Sequence, residues 1–241
     1  SGGNGNDTFV IRTGDGSTTL ANANVITDFS DGTDVIGLDN DLAFSQLTIA
    51  QGTGAYASHT LVSVTATGEY LLILQNTTAS NITAADFSST STVAQTFTGT
   101  SGNDVFIGGA GNDTFNGAAG SDELYGHGGN DTFNITGKSG AFTDIIIGGT
   151  GTDTLDIDYT GVDSLSDFTI TYDSTNGYIV LTDANGGVIK FSSIENLTVG
   201  DYAYTRVQDR DDDYADAYWN ATEAKLYLWD GNGTNVSSVL D

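Results

Sequence analysis

Cysteine, proline and methionine are all absent from these 241 residues, and lysine and arginine together number only six. Without cysteine there is no disulfide and no thiolate zinc site, so any cross-links that hold the fold are of another kind. Six basic residues against 32 Asp and Glu leave a net charge of −26. Such a surface excludes nucleic acid and anionic membranes as partners, because binding either depends on basic residues. No apolar run approaches the length of a membrane span. No apolar leader follows Ser1, and the chain reads as a piece of a longer one. Glutamate is scarce as well, with only Glu69, Glu123, Glu195 and Glu223 against 28 aspartates. A merely solubilising surface would draw on both carboxylates. The shorter one suits tight turns and hard cations, and a charge this large opposes compaction unless cations neutralise it.

What is present instead is a period of nine. Residues 108–116 read GGAGNDTFN, the pattern GGxGxDxUx in which U is a large apolar residue. Residues 99–107, 117–125 and 126–134 are imperfect copies. They keep Asp104, Asp122 and Asp131 in the sixth place and Phe106, Leu124 and Phe133 in the eighth. After four extra residues, 135–138, the register resumes in 139–147 and 148–156 with Asp144, Ile146, Asp153 and Leu155. One more copy, residues 2–10, opens the chain and carries Asp7. Glycine in the first, second and fourth places lets the first six residues fold as a turn, and the last three form a short strand. The middle residue of that strand points inward, so the eighth-place side chains stack as a core. Two repeats make one coil, which pairs Asp104 with Asp122 on one side and Asp113 with Asp131 on the other. Carboxylates stacked at that spacing repel one another unless a cation lies between them. The freed turn carbonyls, at Gly102, Gly109, Gly111, Gly120, Gly129 and Gly151, supply further oxygens, and calcium is the expected ion. A turn-only role for the aspartates would tolerate Asn or Ser and would not return Asp every nine residues.

These nonapeptides resemble those of the RTX (repeats-in-toxin) proteins, and four consecutive copies in register from 99 to 134 make the match specific. The resemblance implies a calcium-binding parallel β-roll in a bacterial protein exported by type I secretion. Residues 24–38, NVITDFSDGTDVIGL, resemble the segment that closes many RTX rolls: an Asp-Phe strand, an acidic loop and an apolar strand. By that resemblance Asp28, Asp31 and Asp34 are ligands of a terminal calcium. Residues 230–233, DGNG, resemble the acidic glycine loop of RTX C-terminal regions and add Asp230 to the metal set.

Antiparallel strands follow each array. Residues 60–67 and 69–75 read as a hairpin about Gly68, and residues 168–172, 178–182 and 188–191 as strands parted by turns at Asn176-Gly177 and Asn185-Gly186-Gly187. The expected fold is therefore all-β: tandem parallel β-roll modules with antiparallel strand caps. The modules span about residues 1–90 and 96–200, joined at the Ser/Thr-rich stretch 88–92, with an acidic hairpin region over 201–241. The single opening repeat is left without a coil partner, which calls for further repeats before Ser1 or a covering molecule.

Other motifs carry little. The aspartates of 209–213 do not make an EF-hand loop, because Tyr214 and Asn220 stand where Gly and Glu are required. Gly137-Lys138-Ser139 matches the end of a phosphate-binding loop, but the motif's first glycine would fall at Thr132, inside a repeat. His59 and His127 cannot make a zinc site, and His127 reads as an exposed turn residue. Neither HExxH nor GxSxG is present. No sequence signal singles out a glycosidase carboxylate pair, and a polysaccharide lyase would need more basic residues than these six. The sequence thus points to a non-enzymatic, secreted module, associated with the cell surface as part of a surface-layer, filament or adhesin protein. Its partners are calcium ions and copies of itself or neighbouring domains. The alternative is the non-catalytic C-terminal calcium-binding region of an RTX enzyme or toxin.

Overall fold

Alternating short apolar runs and glycine turns give strands throughout, and the fold is all-β as expected. The computed structural model describes residues 1–39, 42–207, 217–220, 225–229 and 235–239, with side chains through 206. Helical segments among the described residues are three-residue 3₁₀ turns, and no helix is long and apolar enough to cross a membrane. Contacts divide the chain into two units: Ser1–Thr92 with Val105–Gly109, and Val93–Asp104 with Ala110–Asp241.

The first unit holds β1 (Thr8–Ile11), β2 (Asn24–Ile26), β3 (Val35–Leu38), β4 (Leu47–Gln51), β5 (Thr60–Val64), β6 (Tyr70–Leu74) and β7 (Phe87–Ser89). The opening repeat is not left without a coil partner. Strand β1 pairs in parallel with β3, and β3 with β7, so that Phe9, Ile36 and Phe87 share one row. The expectation failed because a coil can be completed by any segment that puts an acid two residues before an apolar one. Asp34 and Ile36 do so without the glycines that mark a repeat. Ile36 and Phe87 are fully buried, the usual state of the row in a roll. The foreseen hairpin about Gly68, whose φ is +68, pairs β5 with β6. That sheet gains β4 at one edge and β2, parallel to β6, at the other. Residues 28 and 29, expected within a strand, lie in the turn-rich segment between β2 and β3.

Strand β8 (Thr96–Thr98) begins the second unit, while β9 (Val105–Ile107) belongs with the first. There follow β10 (Thr114–Asn116), β11 (Glu123–Gly128), β12 (Thr132–Thr136), β13 (Phe142–Thr150) and β14 (Thr154–Asp158). After them come β15 (Phe168–Asp173), β16 (Tyr178–Asp183), β17 (Gly187–Ser192), β18 (Asn196–Val199), β19 (Tyr202–Val207), β20 (Ala217–Asn220), β21 (Lys225–Trp229) and β22 (Asn235–Val239). Successive repeats go to opposite sides. Strands β8, β10, β12, β14 and β18 stack in parallel on one, with Phe97, Phe115, Phe133, Leu155 and Leu197 in register. On the other, β11, β13 and β17 align Leu124, Ile146 and Phe191. The insertion at 135–138 lengthens the step from 18 residues to 22 without shifting the register, as both Leu124↔Ile146 and Phe133↔Leu155 show. From Phe115 to Leu197 and from Leu124 to Phe191 the facing row residues are fully buried, and the rings of Phe97, Phe115 and Phe133 stack at 4.8 and 4.7 Å. Phe106, placed by the repeat in the row of Leu124, is only half-buried.

The strand cap is not a separate layer on the roll. Strands β15, β16 and β17 form the expected antiparallel meander, but β17 and β18 extend the two parallel sheets by a further coil. Strand β19 then turns back on β18, and β20, β21 and β22 continue antiparallel from it. The described strands of 201–241 therefore extend the sheet of the preceding module.

Candidate metal centre

Every sixth-place residue enters one repeated contact. In the second unit the Asp113 carboxylate accepts the Gln95 backbone N–H through Oδ1 at 2.8 Å. Asp131 accepts Asp113 N–H at 2.7 Å, Asp153 accepts Asp131 N–H at 2.8 Å, and Glu195 accepts Asp153 N–H at 2.8 Å. On the other side Asp122 accepts Asp104 N–H at 3.0 Å, and Asp144 accepts Asp122 N–H at 2.9 Å. In the first unit Asp34 accepts Asp7 N–H at 3.1 Å. Each carboxylate is thus pinned by one oxygen to the coil before it, which stacks the negative charges directly. Glu195 was not foreseen. The signal for it was an acid two residues before an apolar row residue, Glu195 and Leu197, in a segment without the glycine turn. Gln95, two residues before Phe97, opens the same row in the same way.

The second oxygens differ between the two sides. Oδ2 of Asp131 and of Asp153 is buried and accepts no hydrogen bond, and Asp7 Oδ2 is in the same condition. Asp131 and Asp153 are 1% and 0% exposed. An ionised carboxylate so placed is costly unless a charge or donor meets it. Burial first, and then the neighbouring charges, push Asp131 and Asp153 from an ordinary 3.8 up to about 6. On the opposite side the free positions are taken by Lys138. Its buried Nζ donates to Asp122 Oδ2 at 2.7 Å, to Asp144 Oδ1 at 2.9 Å and to the Gly120 carbonyl at 3.1 Å, and it lies 2.8 Å from Asp144 Oδ2, which accepts no hydrogen bond. Burial still pushes Asp144 up, against the pull of Lys138 beside it.

The turn glycines bring carbonyls to the same edges. A Cβ on Gly120 would run into the Gly102 carbonyl, one on Gly129 into Gly111 O, and one on Gly151 into Gly129 O. All three have positive φ, so here glycine is demanded by close approach as well as by conformation. Gly109 stands against the Ser91 carbonyl in the first unit. Gly102 meets only Thr100 Oγ1, at 3.6 Å, and has room for a side chain. His127, expected to be exposed, is half-buried with a φ of +69, because its backbone carbonyl sits beneath Gly149 in the stack.

Asp28, Asp31 and Asp34 do not converge. Asp34 is buried and belongs to the carboxylate ladder, its Oδ2 accepting Ser30 N–H at 2.9 Å. Asp28 accepts Ser1 Oγ at 2.7 Å and Gly3 N–H at 3.0 Å, and these bonds hold it below the usual carboxylate range. Asp31 faces Asp86, a buried carboxyl pushed up by burial and by the Asp31 charge, which the sequence reading did not single out. Asp230 and the aspartates of 209–213 lie outside the described residues. No group of three Asp, Glu or His side chains that could hold a metal ion occurs among the described residues. A cation here must therefore take most of its ligands from turn carbonyls. The donor set of both edges, carboxylate and carbonyl oxygen alone, fits a hard divalent cation, and the buried unpaired Oδ2 atoms are what such an ion satisfies.

Without metal, the sign of the pH dependence follows from the raised carboxyls. Their protonated forms are the ones the calcium-free fold holds best, so their contribution is full below about 3.8 and is lost as pH climbs through about 6. In protein stripped of calcium beforehand and kept in calcium-free buffer, strand signal by far-ultraviolet circular dichroism is expected to be greater at pH 5 than at pH 7.5. The reverse order would contradict the burial of these groups.

The comparison with family models agrees with the repeat geometry. The model of the RTX calcium-binding nonapeptide repeat matches in four copies, over residues 98–133 and 138–156. Comparison with curated proteins gives no match. Among solved structures, the extracellular lipase LipA from Serratia marcescens aligns at 23% identity with a TM-score of 0.26, over 65% of this chain. The chain spans 22% of the length of that lipase. Residues 98–133 and 138–156, whose aspartates stand in the two carboxylate rows, thus match the RTX calcium-binding nonapeptide repeat and stack as a parallel β-roll.

Proposed function

We propose that this chain is a non-catalytic extracellular module whose folding is coupled to calcium binding, and that it serves as a structural part of a surface-layer, filament or adhesin protein. The observation that carries the reading is the pair of buried, unpaired Oδ2 atoms of Asp131 and Asp153, held one coil apart by backbone N–H donors. Calcium, when bound, supplies positive charge to these two carboxylates. The chain supplies everything else. Gly120, Gly129 and Gly151 let one coil's backbone approach the carbonyls of the coil before it, while the phenylalanine and leucine rows set the spacing of the coils. In the unfolded chain the 32 glycines hold large conformational entropy and the net charge of −26 repels itself. In a calcium-poor cytoplasm these terms keep the chain extended and exportable. Outside, calcium at roughly 10⁻⁴ to 10⁻³ M tips the balance.

At pH 7.5, excess EGTA is expected to abolish most of the strand signal, and millimolar calcium to restore it. A spectrum indifferent to the chelator would overturn calcium-coupled folding. The structural role is tested separately by electron microscopy of the calcium-loaded protein: ordered sheets or filaments support it, and particles that stay single at high concentration count against it.

A further inference from the structure

The two carboxylate rows are built alike and satisfied differently. Both use Oδ1 to accept a backbone N–H from the preceding coil. In the row of Asp113, Asp131 and Asp153, two of the remaining oxygens are buried with no hydrogen bond. In the row of Asp104, Asp122 and Asp144, Asp144 Oδ2 also accepts no hydrogen bond, but Lys138 Nζ stands 2.8 Å from it and donates to Asp122 Oδ2, Asp144 Oδ1 and Gly120 O at 2.7, 2.9 and 3.1 Å. These three oxygens span adjacent coils and are the kinds of donor that a calcium ion takes. The Lys138 side chain is 0% exposed, and its ammonium also stands 5.1 Å from the centre of the Phe142 ring. A lysine is tolerated at such depth only when its charge is paired and its donors are used, and here two carboxylates and a carbonyl use them.

We propose that Lys138 is a built-in substitute for a metal ion, its ammonium occupying between Asp122 and Asp144 the inter-coil position of a calcium. The inference rests on the calcium-binding reading given above. Lys138 is delivered by the four-residue insertion 135–138: Ile135 and Thr136 continue β12, Gly137 turns the chain at a φ of +68, and the next side chain enters the opposite row. No other insertion interrupts the repeats between residues 99 and 156. One junction of the roll is thereby closed at any calcium concentration, and the chain binds one ion fewer than its repeat count implies.

Substituting Lys138→Met keeps an apolar stem and removes the charge. Calcium bound per chain, counted by native mass spectrometry and by metal analysis after dialysis, is expected to rise by one over the parent. In calcium-free buffer, after removal of bound calcium, the variant is expected to hold less strand signal than the parent at pH 5. A second measurement uses the parent protein alone: acetylation of lysines in saturating calcium, mapped by mass spectrometry, is expected to spare Lys138 while modifying the half-buried Lys190. Equal calcium counts in parent and variant overturn the inference, and so does an acetylated Lys138 in the calcium-loaded protein. Should the variant not fold in excess calcium, the acetylation result decides. A parent that binds no calcium overturns the proposed function itself, whereas equal counts above zero overturn only the substitution by lysine.

Discussion

Asp131→Asn and Asp153→Asn are expected to weaken the calcium-loaded protein and to strengthen the calcium-free one. Asparagine keeps an oxygen for the N–H of the preceding coil, so the hydrogen bonds from Asp113 and Asp131 survive the change. What is lost is a negative charge at a buried position that has no donor of its own. With calcium present the site loses a charged ligand, and the calcium midpoint of folding is expected to rise about tenfold or more, each tenfold being about 1.4 kcal/mol. With calcium removed the same change eliminates an uncompensated buried charge, and the strand signal remaining in EGTA at pH 7.5 is expected to rise. A calcium titration followed by circular dichroism, begun in EGTA at pH 7.5, reads the two signs together. A loss of similar size with and without calcium would return these residues to an ordinary turn role, in which the carboxylate serves only its backbone bond.

Phe133→Ala tests the other half of the coil. Phe133 is fully buried, stacks on Phe115 at 4.7 Å, and lies in register between Phe115 and Leu155. Truncation leaves a cavity in the middle of the row and is expected to cost about 3–5 kcal/mol. Folding and binding are coupled, so the loss shows as a demand for more calcium. Each saturating site offsets about 1.4 kcal/mol per tenfold rise in free ion. A calcium titration followed by circular dichroism is expected to shift strongly for Phe133→Ala and hardly at all for Thr132→Ala, whose side chain points the other way along the same strand. Equal behaviour of the two variants would place the core elsewhere.

These two residues also mark how far the primary structure can be read. The period of nine places Asp131 on a turn and Phe133 in the core, because a glycine turn and a three-residue strand have only one way to alternate. It also carries the register across the insertion, so that Leu124 meets Ile146 and Phe133 meets Leu155. The hairpins about Gly68 and Asn176-Gly177 were legible for the same reason: a positive φ and alternating apolar residues are local facts. Asp34 and Glu195 were harder. Each completes a coil from a segment with no repeat around it, and the only mark is an acid two residues before an apolar side chain.

Composition and periodicity alone thus determined an all-β roll, its inward row, and the oxygen-rich turns that suit a hard cation. Tertiary structure decided which segments close the coils and which carboxylate oxygens are left over. It also decided that a lysine resembling part of a phosphate loop is buried between two aspartates. Those outcomes depend on contacts between residues distant along the chain, such as β1 with β3, Asp153 with Glu195, and Lys138 with Asp122. Local sequence constrains a residue's conformation, but only the stacking of coils sets what lies one layer away from it.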